Sequence, residues 1–167
     1  FYKYVIAFYK RMDHIVVVNP IFIDKLVAYG IPRKKITYIP NFVSRREFYP
    51  VAQEKKIALR KQYGYNLTRF TVLGSGQIQT RKGVMDFIRL AQANPDIQFI
   101  WTGGFSFGRM TDGYAELEKY VKQPPANLSF PGIIKRDKMV EYYNLADLFL
   151  LPSFNELFPM SVLEAFA

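Results

Sequence analysis

The chain has 167 residues, half of them apolar and 22% charged, with no cysteine and one histidine, His14. This composition supports a packed core and excludes low-hydrophobicity disorder, disulfide staples, thiolate metal sites and cysteine nucleophiles. The net charge of +9 points to an anionic partner: a phosphate-bearing small molecule, a nucleic acid or an anionic membrane surface.

In chain order, an apolar-basic helical pattern covers about residues 1–12, followed by a strand at Ile15–Val18 and a helix over Pro20–Tyr29. Pro20 suits the first helical position and Gly30 the residue just past the end. Ile36–Ile39 is a short strand, and the proline-punctuated stretch Pro40–Pro50 reads as a connector. Gln53–Tyr63 is a polar, basic helix closed by Gly64.

A second pattern starts at Arg69. Phe70–Leu73 is an apolar strand, followed by a turn at Gly74-Ser75-Gly76 and an amphipathic helix over Lys82–Ala93. Ile97–Trp101 is the next strand, and Gly103-Gly104 opens a loop to about Thr111 that carries Phe105 and Phe107. A helix over Tyr114–Val121 and a strand at Leu128–Phe130 follow, and Asp137 is placed to cap the next helix. Leu148–Leu151 is predicted as another buried strand, with a last helix beginning near Pro159. No apolar run reaches the ~18 residues of a membrane span, and the opening residues lack a signal-peptide pattern. Because the chain starts within one helical pattern and stops within another, it is expected to be a piece of a longer protein.

Strands alternating with helices predict an α/β fold with a doubly wound, Rossmann-like parallel sheet. Ligands of such sheets bind beyond the carboxyl ends of the strands. The loops at 74–82, 103–112, 131–136 and 152–160 are therefore expected to line one site.

Two of these loops carry candidate chemistry. In Gly74-Ser75-Gly76-Gln77-Ile78-Gln79-Thr80-Arg81-Lys82-Gly83, glycines allow close backbone approach and two cations precede a helix, which suits a diphosphate. A tight turn with two solvated cations explains the same residues. In the second, Glu156 falls in a loop after a strand and Glu164 more than one helical turn beyond Pro159, roughly 7–8 Å further at ~1.5 Å per residue. Two such carboxylates can accept hydroxyl protons from separate parts of an extended ligand, with free N–H groups near Met160 and Ser161 available to an anionic oxygen. An exposed loop acid and a surface helix acid are the plainer alternative. His14 and Trp101 read as structural.

Glu156 and Glu164, in PSFNELFPMSVLEAFA, resemble the E-x7-E motif of retaining GT-B glycosyltransferases of family 4. The segment GIIKRDKMVEYYNLADLFLLPS and the connector Ile39-Pro40-Asn41-Phe42-Val43 with Phe48-Tyr49-Pro50 are similar to the same family. GQIQTRKG, GGFSFGRMTDGY and PPAN more closely resemble the diacylglycerol glycosyltransferases that make glycolipid anchors of lipoteichoic acid in Gram-positive-type bacteria.

The resemblance implies that residues 1–50 are the end of an N-terminal domain with its connector. Residues 51–167 would be the donor-binding domain, truncated at its C-terminus. It implies transfer of a hexose from a UDP-sugar, glucose or galactose, with retention, to a lipid such as a glycosyl-diacylglycerol. Lys82 would neutralise the donor diphosphate, helped by Arg81, since Gln77 stands where many members have Arg. Glu156 would face the donor hexose and Glu164 would hold the ribose. Gly74 and Gly76 would form the turn at the diphosphate, Ile133 and Ile134 would lie by the base, and Phe158, Met160 and Ser161 along the sugar and phosphate. No D-x-D occurs, so no metal cofactor is expected.

A lipid acceptor would place the enzyme in the cytoplasm, peripheral to the inner face of the membrane, with Arg33-Lys34-Lys35 and Arg45-Arg46 facing anionic lipid. A solvated surface explains those clusters equally well. Nucleic acid is not expected as a partner, because the cations are scattered rather than forming a stripe interleaved with aromatics. A non-catalytic subunit of the same fold, and a family member acting on another glycan, remain open.

Overall fold

The computed structural model describes residues 2–167, so Phe1, at the start of the first predicted helix, lies outside the described residues. The chain divides into two compact units. The residues up to Phe42, with Leu157–Met160, form the first, and Val43–Glu156 with Ser161–Ala167 form the second.

In the first unit, α1 (Tyr2–Arg11) and α2 (Ile21–Ala28) accompany β1 (Ile15–Val17) and β2 (Ile36–Tyr38), which pair in parallel. Val17, Leu26, Ile31 and Ile36 form a small core. Pro20 sits one residue before α2, and Gly30 follows its end with φ 79°. His14 is exposed and shares a 2.8 Å hydrogen bond with the Thr37 hydroxyl, a structural contact across the two strands.

In the second unit, α3 (Gln53–Gln62) precedes β3 (Thr71–Ser75), α4 (Val84–Ala93), β4 (Gln98–Thr102), α5 (Tyr114–Lys122), β5 (Leu128–Gly132), α6 (Arg136–Leu145) and β6 (Leu148–Phe149). The last helix, α7 (Met160–Phe166), begins in the first unit and continues here. The four strands are parallel in the order β5-β4-β3-β6. Successive residues of a strand face opposite sides, which builds two cores. Val72, Phe99 and Trp101 pack with Val84, Phe87, Ile88 and Leu117 of α4 and α5. Leu73 and Ile100 pack with Leu59 of α3 and with Met139, Tyr142 and Leu145 of α6. The sheet is thus covered on both faces, as the near-continuous apolar strands require.

Three local expectations are corrected. The turn predicted at Gly74 begins later, because Gly74 and Ser75 belong to β3, paired with Trp101 and Thr102. A Cβ on Gly74 would come within 2.4 Å of the Trp101 ring, so this glycine makes room for the core. Asp137 is not a cap: Lys135 occupies that position without a side-chain bond, and Asp137 lies in the first turn of α6. Among the described residues β6 is a short outer strand with Leu148 half exposed, where a buried strand is expected. Backbone bonds from Asp147 N to Thr71 O and from Leu150 N to Leu73 O, both 2.8 Å, continue its attachment to β3.

An ion-pair cluster ties α3 to the start of β6. Asp147 accepts from Arg60 at 2.6 Å, Lys56 at 2.5 Å and the Thr71 amide at 2.7 Å. Arg60 is buried, and its remaining donors reach the carbonyls of Leu145, Leu67 and Arg69.

Candidate functional site

The strand order contains a reversal. From β3 the chain builds outward through β4 to β5, then returns to place β6 on the other side of β3. The loops after β3 and β6 therefore leave neighbouring strand ends at the switch point of an open parallel sheet, the place where such sheets bind their ligands.

Arg81 and Lys82 do not begin a helix, as their sequence context predicts. They lie in a separate 3-10 turn, Thr80–Lys82, and Gly83 separates them from α4. Gly83 has φ +68°, and a Cβ there would come within 2.1 Å of the Pro152 carbonyl. The absent side chain lets the loop after β6 close against the loop after β3. The backbone bond from Phe154 N to Arg81 O at 3.0 Å fastens the two loops.

This contact brings together three of the candidate residues. Lys82 Nζ donates to Glu156 Oε1 at 2.5 Å, and Arg81 lies 3.8 Å from the same oxygen. Arg81 also donates to the Asn155 carbonyl at 2.7 Å. Burial pushes the Glu156 carboxyl up, but the hydrogen bond from Lys82 and the charges of Lys82 and Arg81 outweigh it, leaving it below the usual carboxylate range. At neutral pH Glu156 is therefore an anionic acceptor, not a proton donor.

Beside this pair is a cavity of about 240 Å³ lined by Gly76, Gln77, Gly103, Gly104, Ile133 and Ile134, with Ser75, Thr102, Ser106 and Met139. Three of the four loops predicted to converge meet here. The approach of the first two is close: Gly76 N donates to Thr102 O at 2.9 Å, and a Cβ on Gly103 would fall 1.9 Å from the Gly76 carbonyl. Trp101 has a second role beyond packing, since its indole N–H holds that carbonyl at 3.1 Å. The Gln77 amide accepts from Gln79 at 2.9 Å. Phe105 packs on Tyr114 with ring centroids 4.6 Å apart, whereas Phe107 is exposed.

Glu164 lies on α7 and is buried. Its carboxylate accepts from Arg136 at 2.6 Å and from the Tyr143 hydroxyl at 2.9 Å. Arg136 falls at the end of the loop at 131–136 expected to line the site, with no role marked for it there, whereas Tyr143 reads only as part of the packed face of its helix. Ser161 is on α7 in the second unit. Phe158 and Met160 are in the first unit, where the Phe158 carbonyl accepts from Asn41 at 2.9 Å and the Leu157 carbonyl from Asn19 at 3.0 Å. Among the described residues, no group of three or more His, Cys, Asp or Glu side chains could hold a metal ion.

Known proteins resemble this chain in sequence and in fold. Residues 55–167 match the family described as Glycosyl transferases group 1. The chain is 58% identical over 163 residues to alpha-galactosylglucosyldiacylglycerol synthase of Streptococcus pneumoniae, covering 98% of this chain and 44% of that protein. It is 27% identical to the processive diacylglycerol alpha-glucosyltransferase of Acholeplasma laidlawii, covering 96% of this chain and 49% of the relative. The chain thus spans a little under half the length of these relatives.

Among solved structures, HepE of Anabaena in complex with UDP-glucose superposes with a TM-score of 0.80 at 18% identity, covering 98% of this chain and 45% of that one. Sucrose-phosphate synthase from Thermosynechococcus elongatus superposes with a TM-score of 0.77 at 22% identity, covering 96% and 40%. These likenesses identify the fold as that of the C-terminal domain of GT-B glycosyltransferases. The family match extends over most of the chain and takes in the whole β3-to-α7 frame that carries Lys82, Glu156 and Glu164. By sequence and by fold, the chain belongs to the group 1 glycosyl transferases.

Proposed function

We propose that this chain is the donor-binding part of a hexosyltransferase that moves glucose or galactose from its UDP-sugar to a glycosyl-diacylglycerol, with retained configuration. The observation that carries this reading is the Lys82–Glu156 pair at the switch point between β3 and β6, flanked by Arg81. A departing nucleotide diphosphate gains negative charge, and fixed cations beside it lower the barrier. Lys82 has three donors and gives one to Glu156, so others are available to phosphate oxygens. Glu156, an anionic acceptor, orients hexose hydroxyls and favours positive charge at the reacting carbon. Gly76 admits the diphosphate to the backbone, Ile133 and Ile134 flank the base, and Glu164 accepts from the ribose hydroxyls.

The acceptor class follows the 58% identical relative, whose name specifies a galactosylglucosyldiacylglycerol product. The donor class follows the Anabaena neighbour, solved with UDP-glucose, and the galactose alternative follows the galactosyl group in that relative's name. Residues 1–50 act as the end of the preceding domain with its connector, and 51–167 as the donor domain. No helix among the described residues is long and apolar enough to cross a membrane. The enzyme works as a peripheral protein on an anionic cytoplasmic surface, attracted by its excess of 23 basic over 14 acidic residues. The cation pair supplies the charge that a metal supplies in other transferases.

Calorimetric titration with UDP, UDP-glucose, UDP-galactose and GDP-mannose in EDTA tests this reading. Metal-independent binding that prefers uridine nucleotides, and is weakened by Glu164→Ala, is expected. Absence of binding to all four, or binding that requires a divalent cation, would overturn it.

A further inference from the structure

Glu164 is held from one side by a built frame. Its two donors, Arg136 and Tyr143, lie on α6 seven positions apart, which places them two turns apart on one face of the helix. Each donor is fixed in turn. The Arg136 guanidinium sits 5.2 Å over the Phe48 ring and 3.6 Å from the Glu47 carboxylate. The Tyr143 ring packs edge-on against Phe48 and Phe149, with centroids 5.9 and 5.5 Å away.

Burial, followed by the charge and hydrogen bond of Glu164, pushes the Tyr143 phenol far above its ordinary value. Tyr143 therefore stays protonated and donates. A carboxylate offers about four lone-pair directions. Two are taken by α6, and the directions left for a ligand are set by the first two.

Resting on the reading of Glu164 as the acceptor of ribose hydroxyls, we propose that Tyr143 is a positioning residue for the nucleotide's ribose. It does not touch the ligand. It holds one carboxylate oxygen of Glu164 while Arg136 holds the other, so that the free lone pairs meet the vicinal diol. The connector residues Glu47 and Phe48 brace this frame, which places a determinant of donor affinity on the segment that leads into the domain.

The test is calorimetry of the chain with UDP and with 2′,3′-dideoxy-UDP, for the unaltered protein, Tyr143→Phe and Glu164→Gln. Phenylalanine keeps the ring against Phe48 and Phe149 and removes only the donor. Tyr143→Phe is expected to weaken UDP about fivefold to tenfold, the scale of one ordinary hydrogen bond, because the lost donor acts through Glu164. It should leave dideoxy-UDP unchanged within about twofold. Equal weakening of both ligands would reveal a packing role and overturn the proposal, as would unchanged UDP affinity. If Glu164→Gln leaves UDP affinity unchanged, the ribose role of Glu164 itself falls. Should Tyr143→Phe fail to fold by thermal melting, Arg136→Gln is expected to show the same ribose-selective loss, and non-selective loss there overturns the proposal.

Discussion

Lys82 Nζ and Glu156 Oε1 lie 2.5 Å apart although the two residues are 74 positions apart in the chain. They meet because β6 returns to the side of β3, and because Gly83 lets the loop at Pro152 approach the turn that carries Lys82. Replacing Lys82 with alanine is expected to weaken UDP about tenfold to a hundredfold, as loss of a charge-assisted bond does. Uridine, which lacks phosphates, should bind equally well to both forms. Parallel titrations of UDP and uridine read the difference, and equal losses for the two would count against a diphosphate role.

Gly83→Ala is expected to destabilise the protein by about 3 kcal/mol, combining the left-handed backbone penalty with overpacking against a carbonyl. The added Cβ would meet Pro152 O at 2.1 Å, and that oxygen belongs to backbone that cannot swing away. Gly64→Ala is the control: its φ is +73° but nothing lies within 4 Å of a Cβ, so only about 1 kcal/mol is expected. Urea denaturation of the two variants separates close packing from backbone strain.

Trp101→Phe removes the indole donor that holds the Gly76 carbonyl at 3.1 Å, and part of the ring packed 5.0 Å from Phe87. A loss of about 2 kcal/mol is expected from the cavity and the unmade bond. UDP affinity should fall with it, because the turn at Gly76 loses its anchor. Unchanged UDP affinity in a folded Trp101→Phe variant would separate that anchor from the binding site.

Asp147 gives the stability an acid limb. Burial pushes its carboxyl up, but hydrogen bonds from Lys56, the Thr71 amide and Arg60 outweigh this, so its folded value lies below the ordinary 3.8. A depressed folded value contributes stability that is full above the unfolded value and is lost as pH falls through the folded one. Melting temperature is therefore expected to drop below about pH 4. Asp147→Asn should be less stable at neutral pH by about 1–2 kcal/mol, the scale of charge-assisted hydrogen bonds at a partly exposed carboxylate, since Arg60 keeps three carbonyl acceptors. It should also show a shallower decline in acid. An identical acid profile in Asp147→Asn would assign the acid limb to other carboxyls.

Much of the architecture was legible in the amino-acid order. Alternating apolar strands and amphipathic helices specify a doubly wound parallel sheet. Such a sheet places its site beyond the strand ends whatever the side chains there, and Lys82, Glu156 and Glu164 stand in those loops or just after them. Local pattern failed where local forces do not decide. Gly74 looks like a turn glycine but is a strand residue that makes room for Trp101. Asp137 has the chemistry of a cap, yet α6 starts before it. β6 reads as a buried strand, yet Leu148 is half exposed among the described residues, because burial depends on the neighbours packed against a strand and not on its composition. Only the tertiary structure decided that Lys82 pairs with Glu156, that Trp101 anchors the turn at Gly76, and that Arg136 and Tyr143 grip Glu164. Those contacts join residues distant in sequence, and their directions come from how helices pack on a twisted sheet, which no periodicity encodes.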